Sequence, residues 1–331
     1  MSIAIIGAGL AGLVCATRLQ ASGRRVTLYE KHLESGGRLH TRATELGGFD
    51  LGTQYFTASS AAFRKQVAAW NKAGWLEGWD GRLARLENGQ ASAAGGGRRR
   101  WVAVPGMGAL GSHLAQGLDV RSEQQVTAIE RYGDAWLLRL RCDSVAIEAS
   151  AGPFDAVLVA LPAEPGAALL QAAAPSLAQQ AAKAHLAPCW ALALGFQDSL
   201  QLPYDGAWVH GSRLGWIARE ASKPQRRPGE RWIAQATPAW SSEHVADEPE
   251  RARDKLLKAF HEATGSPVQP LYAEVHRWRF AQAERLLAGD CLWQAKQRIG
   301  ACGDWFAAGL EGNGRVEHAY LSALALAERV G

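Results

Sequence analysis

Three glycines and one glutamate near the start of the chain have the spacing of a dinucleotide-binding site. Gly7, Gly9 and Gly12 form a Gly-x-Gly-x-x-Gly motif, and Glu30 follows eighteen residues after Gly12. In such motifs the first glycine forms a tight turn, the second lets a pyrophosphate approach the backbone, and the third lets a helix pack closely. A carboxylate at the position of Glu30 accepts hydrogen bonds from ribose hydroxyls. Spacing and context together favour a nucleotide site over a plain glycine-rich turn.

Two later segments extend the predicted site. The run Gly36-Gly37-Arg38 follows the second predicted strand, where Arg38 would place its guanidinium on the pyrophosphate. Near the other end of the chain Asp304 ends a short strand, and Arg315 and Val316 open a helix whose N-terminus would face a bound anion. A nicotinamide dinucleotide requires neither segment, whereas FAD needs an anchor for its ribityl hydroxyls and a positive pole near flavin N1 and O2. The sequence therefore predicts FAD.

Hydrophobic patterning places these motifs on strands and helices. Residues 3–6 and 25–30 predict strands with an apolar helix between them, and the apolar run 156–162 predicts a strand buried on both faces. Four short segments rich in tryptophan, 190–194, 207–209, 214–217 and 231–234, predict antiparallel strands. We therefore expect an α/β fold: a Rossmann-type FAD-binding domain with a parallel sheet, interleaved with a smaller substrate domain built on a mostly antiparallel sheet plus helices.

The length of 331 residues exceeds what one hydrophobic core usually serves, which predicts two domains. We assign residues 1–60, 101–164 and 277–331 to the FAD-binding domain, and residues 61–100 and 165–276 to the substrate-binding domain. The longer segment of the substrate-binding domain, 165–276, begins with an Ala-rich stretch, 167–184, that predicts a helical segment.

Composition excludes several classes of partner. The net charge is only +4, and the triplet Arg98-Arg99-Arg100 follows three glycines, which favours a solvated hairpin tip over a nucleic-acid site. The five cysteines are far apart without a C-x-x-C pair, which argues against disulfides or a metal site and fits the cytoplasm. No apolar run reaches the ~18–20 residues needed to span a membrane. We expect neither nucleic acid nor membrane as a partner.

Taken together, the motifs resemble the two-domain FAD enzymes of the glutathione-reductase-like and amine-oxidase group, and within it the bacterial renalases. The segments that carry the resemblance are, in chain order, 7–12, 30–31, 35–38, 50–58, 101–102, 105–107, 276–278, 302–305 and 314–317. The runs Gln-Tyr-Phe-Thr at 54–57 and Cys-Gly-Asp-Trp at 302–305 narrow the likeness to renalases. Glu30 departs from the Asp of many relatives, and the loop 306–313 is longer than in the family.

The resemblance implies which residues contact cofactor and substrate. A non-covalent FAD would contact Gly7, Gly9, Ala11, Gly12, Glu30, Lys31, Gly37, Arg38, Gln54, Tyr55, Val126, Asp304, Arg315 and Val316. The substrate would contact Tyr55, Phe56, Thr57, Ala58 and Ser59. Trp190, at the start of the tryptophan-rich strands, is predicted as the opposite wall of the substrate site.

The resemblance also implies an activity. Bacterial renalases oxidise the 2- and 6-dihydro isomers of NAD(P)H to NAD(P)+ by hydride transfer to flavin N5, and O2 reoxidises the flavin to give hydrogen peroxide. Such a reaction needs no catalytic side chain, because the flavin itself accepts the hydride. The partners of the protein would be a small dinucleotide and O2. Two alternatives stay open: a flavin amine oxidase acting on a primary or secondary amine, and a non-catalytic FAD-binding protein.

Overall fold

The computed structural model describes residues 1–87, 89–142, 147–312 and 314–331. Its strands are β1 (Ser2–Ile6), β2 (Arg25–Tyr29), β3 (Thr41–Thr44), β4 (Gly47–Asp50), β5 (Leu76–Gly78), β6 (Leu83–Glu87), β7 (Gln90–Ala93), β8 (Trp101–Ala103), β9 (Asp119–Arg121), β10 (Gln125–Tyr132), β11 (Ala135–Cys142), β12 (Ile147–Phe154), β13 (Ala156–Val159), β14 (His185–Phe196), β15 (Gly206–His210), β16 (Leu214–Arg219), β17 (Glu230–Ala236), β18 (Tyr272–Arg285), β19 (Leu292–Gln294) and β20 (Ile299–Ala301). Its helices are α1 (Leu10–Ala21), α2 (Ala61–Lys72), α3 (Met107–Ala115), α4 (Ala163–Ala173), α5 (Pro175–Ala181), α6 (Pro238–Glu243), α7 (Pro249–Thr264) and α8 (Val316–Val330).

The chain divides into two compact units, each made of separate segments. Unit 1 comprises Met1–Gly37, Gly111–Leu186 and Gln282–Gly331, and unit 2 comprises Arg38–Leu110 and Ala187–Ala281.

The centre of unit 1 is a six-stranded sheet in the order β19-β20-β13-β1-β2-β9. The five strands from β20 to β9 run parallel, and β19 is antiparallel at one edge. Ile5 of β1 lies between Leu28 of β2 and Leu158 of β13, and all three are completely buried. Apolar runs buried on both faces are typical of such parallel sheets. This confirms the predicted Rossmann-type architecture.

The helices and the second sheet of unit 1 complete its core. Helix α1 packs against α8, and a three-stranded antiparallel sheet runs β10-β11-β12. The Ala-rich stretch predicted as one helical segment forms two helices, α4 and α5, separated at Ala174. Pro175 explains the break, because its ring lacks an N–H and suits the first position of a new helix.

Unit 2 is built on a seven-stranded sheet in the order β18-β14-β17-β16-β15-β6-β7. The pairs β14–β17, β17–β16, β16–β15 and β6–β7 are antiparallel, while β15–β6 is parallel. Leu256 and Phe260 of α7 lie in one core cluster with Leu192 and Trp232 of the sheet. This confirms the predicted antiparallel-rich domain, and the tryptophan-rich segments are its strands.

The boundaries of the two units differ from those assigned to the two domains from the sequence. Residues 38–60, 101–110 and 277–281 belong to unit 2, and residues 165–186 belong to unit 1. The β3–β4 hairpin falls in unit 2 because β4 packs against β17, and α4 falls in unit 1 because it packs against β10. Sequence periodicity identifies such elements without indicating which core they join.

None of the helices in the described residues is long and apolar enough to cross a bilayer. The five cysteines, all of which lie in the described residues, form no disulfide bond.

Candidate active site

The turn between β1 and α1 exposes the start of a helix. Gly7 has φ +101°, and its N–H donates to the Tyr29 carbonyl at 2.8 Å. Gly9 is the N-cap of α1 and provides no side-chain cap, so the first N–H groups of α1 lack the partner that a capping side chain would supply. Such groups favour an anion because they donate hydrogen bonds at the positive end of the helix dipole.

The three motif glycines have different steric surroundings. A Cβ added at Gly12 would lie 2.0 Å from the Gly7 carbonyl oxygen, and one at Gly7 would lie 2.8 Å from the Ala160 carbonyl oxygen. A Cβ at Gly9 would meet nothing within 4 Å. Gly7 and Gly12 are therefore required by packing, whereas Gly9 faces open space. This is the arrangement in which a pyrophosphate can reach the backbone.

The second glycine pair lies against the same turn. Gly36 donates its N–H to the Ala8 carbonyl at 2.8 Å, and a Cβ on Gly37 would lie 3.2 Å from the Cα of Gly9. Gly37 has φ +59°, which favours glycine. Arg38, the next residue, belongs to unit 2 and donates from Nη1 to the Ala281 carbonyl at 2.7 Å. Its contact with the pyrophosphate stays a prediction.

Glu30 is buried and held by two backbone N–H groups. Its Oε2 accepts from Ala8 at 2.8 Å and its Oε1 accepts from His32 at 3.0 Å. These bonds fix the carboxylate beside the turn, and carboxylate oxygens retain lone pairs for ribose hydroxyls. Of the remaining predicted contacts at this end, Lys31 is exposed and Val126 is buried on β10.

A second uncapped helix start follows β20. Asp304 is buried, and the N–H of neighbouring Gly303 donates to Ser322 Oγ of α8 at 3.1 Å. A Cβ on Gly314 would lie 2.3 Å from the Asp304 carbonyl oxygen. The chain segment that leads into α8 therefore packs directly against the backbone of Asp304. Arg315, the N-cap of α8, makes no side-chain cap. Of the loop 306–313, Asn313 lies outside the described residues.

His318, in the first turn of α8, was not identified from the sequence. Its side chain is only 1% exposed, and neither ring nitrogen has a hydrogen-bond partner. Burial and the neighbouring Arg315 lower the pKa of the imidazole, which favours the neutral ring. Buried polar groups are almost always hydrogen-bonded, so an unpartnered imidazole near Asp304 fits a site that a polar ligand completes. No sequence signal marks it, because a lone histidine on an apolar helix resembles a core residue.

Unit 1 therefore has the features that an FAD would need. Two helix starts lack side-chain caps, Gly9 has open space in front of it, and Glu30, Asp304 and His318 place polar groups beside the two turns. We find that the residues present fit this cofactor.

Unit 2 contains a buried group of four charged residues, which we call the charge cluster: Asp50, Glu220, Lys223 and Arg226. Asp50 Oδ2 accepts from Lys223 Nζ at 3.1 Å and from Arg226 Nη2 at 2.7 Å, and Oδ1 accepts from the Met107 N–H at 2.9 Å. Burial alone would raise the pKa of Asp50, but Lys223 and Arg226 reverse this and lower the pKa to about 2.

The charge cluster also fixes Gln54. Lys223 Nζ donates to Gln54 Oε1 at 3.3 Å and to Glu220 Oε1 at 3.0 Å, and Gln54 Nε2 donates to the Asp50 carbonyl. Glu220 Oε2 has no hydrogen-bond partner, and burial raises the pKa of Glu220. The predicted site residue Gln54 is thus held by residues that the sequence did not indicate.

Next to Gln54, Tyr55 joins three tryptophans in what we call the aromatic group: Tyr55, Trp79, Trp208 and Trp216. The Tyr55 ring lies 5.5 Å from Trp216 and 5.9 Å from Trp79, and Trp208 lies 5.1 Å from Trp216. Trp216 Nε1 is buried and has no hydrogen-bond partner. The group therefore combines large flat faces with an unused N–H donor.

Phe56 does not join the aromatic group. It is 4% exposed, exchanges backbone hydrogen bonds with Trp101 at 3.0 and 2.8 Å, and packs its ring on Phe63. The predicted contact of Phe56 with the substrate stays a prediction, and the structure places its ring in the core. Thr57, Ala58 and Ser59 are half-buried.

Trp190 is the residue predicted as the opposite wall of the substrate site, and that contact stays a prediction. It is 1% exposed within the core of unit 2, and its Nε1 donates to the His244 carbonyl at 3.0 Å. Arg277 covers its ring at 5.1 Å. The tryptophans whose rings pack on Tyr55 are Trp79 and Trp216, and Trp208 packs on Trp216.

Comparison with known proteins identifies relatives of both parts of the chain. Residues 5–69 match the NAD(P)-binding Rossmann-like domain, and residues 79–331 match the family described as flavin containing amine oxidoreductase. A candidate protoporphyrinogen oxidase from Exiguobacterium sp. 255-15 superposes with a TM-score of 0.77 over 99% of this chain and 98% of its own, at 14% identity. That similarity concerns the fold alone.

Curated relatives match over a short stretch. The 1-hydroxycarotenoid 3,4-desaturase of Flavobacterium sp. (strain P99-3) is 53% identical over 55 residues, which is 16% of this chain and 11% of that protein. The 4,4'-diapophytoene desaturase (4,4'-diaponeurosporene-forming) of Staphylococcus haemolyticus (strain JCSC1435) is 44% identical over 52 residues, 16% of this chain and 10% of that protein. The matched stretch thus spans about a tenth of the length of these relatives.

Proposed function

Because the chain belongs to the flavin-containing amine oxidoreductase family, we propose that it is an FAD-dependent oxidase of the renalase type. Its substrates would be the 2- and 6-dihydro isomers of NAD(P)H, and its products NAD(P)+ and hydrogen peroxide. The family makes FAD the cofactor and oxidation–reduction the reaction class. The dihydronicotinamide substrate is our inference.

The observation that supports this substrate is the aromatic group beside Gln54. The Trp216 ring lies 5.5 Å from the Tyr55 ring and 5.1 Å from the Trp208 ring. Such a group of rings is suited to a flat heterocycle. Gln54 Nε2 donates to the Asp50 and Gly52 carbonyls and Oε1 accepts from Lys223, so the fixed amide offers a carboxamide N–H the remaining lone pair of Oε1. A nicotinamide ring has both the flat face and the carboxamide.

The proposed reaction requires positioning more than proton transfer. When bound, FAD accepts the hydride at N5 and passes the electrons to O2. The ring nitrogen of a dihydronicotinamide supplies the electrons that leave with the hydride, so no side chain has to remove a proton. The chain's own task is to hold the ring flat and dry, and the aromatic group can provide that. We therefore propose no catalytic acid or base.

A flavin amine oxidase is the second candidate, and the family description favours it. The charge beside Tyr55 argues against it, because the Arg100 guanidinium lies 5.7 Å from the Tyr55 ring. A protonated amine approaching these rings would meet a like charge. An anionic dinucleotide would meet an opposite charge, so we rank the dihydronicotinamide first.

The remaining features of the proposal follow from the same chemistry. Its partners are a small dinucleotide and O2, without nucleic acid or membrane. The scattered cysteines, which form no disulfide in the described residues, support a cytoplasmic location.

The decisive experiment mixes the oxidised holoenzyme anaerobically with 6-dihydro-NAD, with ordinary NADH and with benzylamine, and follows flavin absorbance in a stopped-flow instrument. We expect rapid bleaching by the isomer and slow or no bleaching by the other two. Fast reduction by benzylamine alone would support the amine oxidase instead. No reduction by any donor would favour a protein that binds FAD without catalysis.

A further inference from the structure

The arginine triplet 98–100 does not form the hairpin tip that its sequence context suggests. The hairpin β6–β7 ends at Ala93, and the triplet lies against residues 55–59 and Trp101. The Arg100 guanidinium is 5.7 Å from the Tyr55 ring and 5.9 Å from the Trp208 ring. Arg98 Nη1 donates to Ser59 Oγ.

The middle arginine has a different partner from its two neighbours. Arg99 lies over the Trp101 ring at 4.4 Å. Arg100 therefore places a positive charge beside Tyr55 and Trp208 of the aromatic group, Arg98 places one at Ser59 of the adjoining segment, and Arg99 places its charge over Trp101.

Arg98 and Arg100 differ from the charge cluster in their ion pairing. Among the residues that the structure describes, neither Arg98 nor Arg100 forms an ion pair with a carboxylate. The charge cluster differs, because there Asp50 and Glu220 balance Lys223 and Arg226. An uncompensated pair of guanidinium groups beside flat aromatic faces attracts a ligand that is both anionic and aromatic.

We propose that Arg98 and Arg100 bind the phosphate groups of the dinucleotide substrate while the aromatic group holds a flat ring of the same molecule. Guanidinium groups suit phosphate because their N–H donors form parallel bonds to two oxygens. The inference rests on the proposed function and adds a rule of selection to it. The enzyme would choose dinucleotides by their phosphates, and a dihydronicotinamide without phosphate would bind poorly.

The test measures binding directly, without turnover. Isothermal titration of FAD-loaded enzyme with NAD+, the product of the proposed reaction, is compared with N-methylnicotinamide, which has the ring but no phosphate. We expect Arg98→Gln and Arg100→Gln each to raise the Kd for NAD+ about tenfold, and Arg100→Lys to raise it less. Arg99→Gln is the matched control and should change the Kd less than twofold. The Kd for N-methylnicotinamide should not change.

Salt gives a second readout of the same contact. Raising the ionic strength should weaken NAD+ binding to the wild type more than to the double variant Arg98→Gln/Arg100→Gln. Equal Kd values for Arg100→Gln and Arg99→Gln would overturn the proposal, as would failure of the wild type to bind NAD+.

The two proposals fail differently. If 6-dihydro-NAD reduces the flavin while Arg100→Gln binds NAD+ like the wild type, the arginine assignment is wrong and the function stands. If no dihydronicotinamide reduces the flavin while NAD+ binding still depends on Arg98 and Arg100, the function is wrong and the anion site stands.

Discussion

Replacing Gly9 or Gly12 with alanine adds one methyl group to the same motif. The two replacements should separate an effect on FAD binding from an effect on folding. In Gly12→Ala the new Cβ would lie 2.0 Å from the Gly7 carbonyl oxygen, so α1 must move about 1 Å from the turn. Overpacking of this kind costs about 1–3 kcal/mol, and more where backbone meets backbone. In Gly9→Ala the Cβ meets no atom within 4 Å, and Gly9 has φ −72° and ψ 176°, which alanine adopts readily.

The expected outcomes are therefore opposite. Gly9→Ala should keep the stability of the apoprotein within about 1 kcal/mol, because only a weak N-cap preference is lost. Its methyl group would occupy the space through which a pyrophosphate reaches the N–H groups of α1. Losing one or two charge-assisted hydrogen bonds of about 1.5–3 kcal/mol each weakens FAD binding by about 10-fold to more than 1,000-fold. Gly12→Ala should lower the stability of the apoprotein itself.

The assay uses apoprotein for both quantities. Urea unfolding followed by circular dichroism gives stability, and titration of FAD followed by quenching of flavin fluorescence gives the Kd. Gly96→Ala is the control, since a Cβ there also meets nothing within 4 Å and the residue lies in unit 2. A Gly9→Ala variant whose Kd for FAD stays within threefold of the wild type would show that the pyrophosphate does not approach Gly9. Equal stability losses in Gly9→Ala and Gly12→Ala would refute the steric argument.

Four further outcomes are expected. Acid precipitation should release the yellow colour into the supernatant, because the FAD is expected to be non-covalent; colour in the pellet would contradict this. Glu30→Ala and Arg38→Ala should weaken FAD by about 1.5–3 kcal/mol each, measured by ultrafiltration, while loss of turnover at full FAD occupancy would contradict their assigned roles. Tyr55→Phe should change the rate of flavin reduction modestly and Tyr55→Ala should slow it about 10²-fold, whereas equal rates would remove Tyr55 from the site. Asp50→Asn should destabilise the protein by about 3–5 kcal/mol at pH 7 and Glu220→Gln by clearly less, by urea unfolding. Because Asp50 has a folded pKa of about 2, below its ordinary 3.8, its contribution is present above pH 4 and is lost as pH falls towards 2. Wild type should therefore lose more stability over that interval than Asp50→Asn, and parallel curves would contradict the argument.

Local spacing made the nucleotide-binding turn predictable. Gly7, Gly9 and Gly12 act within six residues, and the structure places Glu30 beside them through the Ala8 N–H. The parallel sheet was predictable for a similar reason, since runs buried on both faces are continuous in sequence. These features depend on short-range periodicity, which a single sequence displays.

Features that depend on distant pairing were not predictable. Lys223 and Asp50 are 173 residues apart, and no periodicity relates them. The choice among tryptophans depended on strand register: Trp208 of β15 lies directly opposite Trp216 of β16, while Trp190 of β14 lies in the core. The sequence contains 13 tryptophans, and its composition does not distinguish those near Tyr55 from those in the core. The prediction for the arginine triplet was wrong for a similar reason. Its neighbouring glycines suggested a hairpin tip, whereas the chain there runs alongside Tyr55.

Charge in unit 2 is distributed so that binding and positioning depend on different residues. In the charge cluster Asp50 and Glu220 offset Lys223 and Arg226, and all four side chains are buried, so the cluster presents little field to a ligand. Its effect on chemistry must be mechanical, through the bond from Lys223 to Gln54. Among the described residues Arg98 and Arg100 form no ion pair with a carboxylate, and in our proposal they act by attraction.

Substitutions in the charge cluster and at Arg100 should therefore change different kinetic parameters. Lys223→Met should reduce the rate of flavin reduction at saturating substrate, because Gln54 loses a hydrogen bond that holds it, with little change in the salt dependence of binding. Arg100→Gln should raise the substrate concentration needed for half-maximal rate and leave the saturated rate nearly unchanged, because a phosphate contact stabilises ground state and transition state equally. If both substitutions changed the same kinetic parameter, this division between positioning and attraction would be wrong.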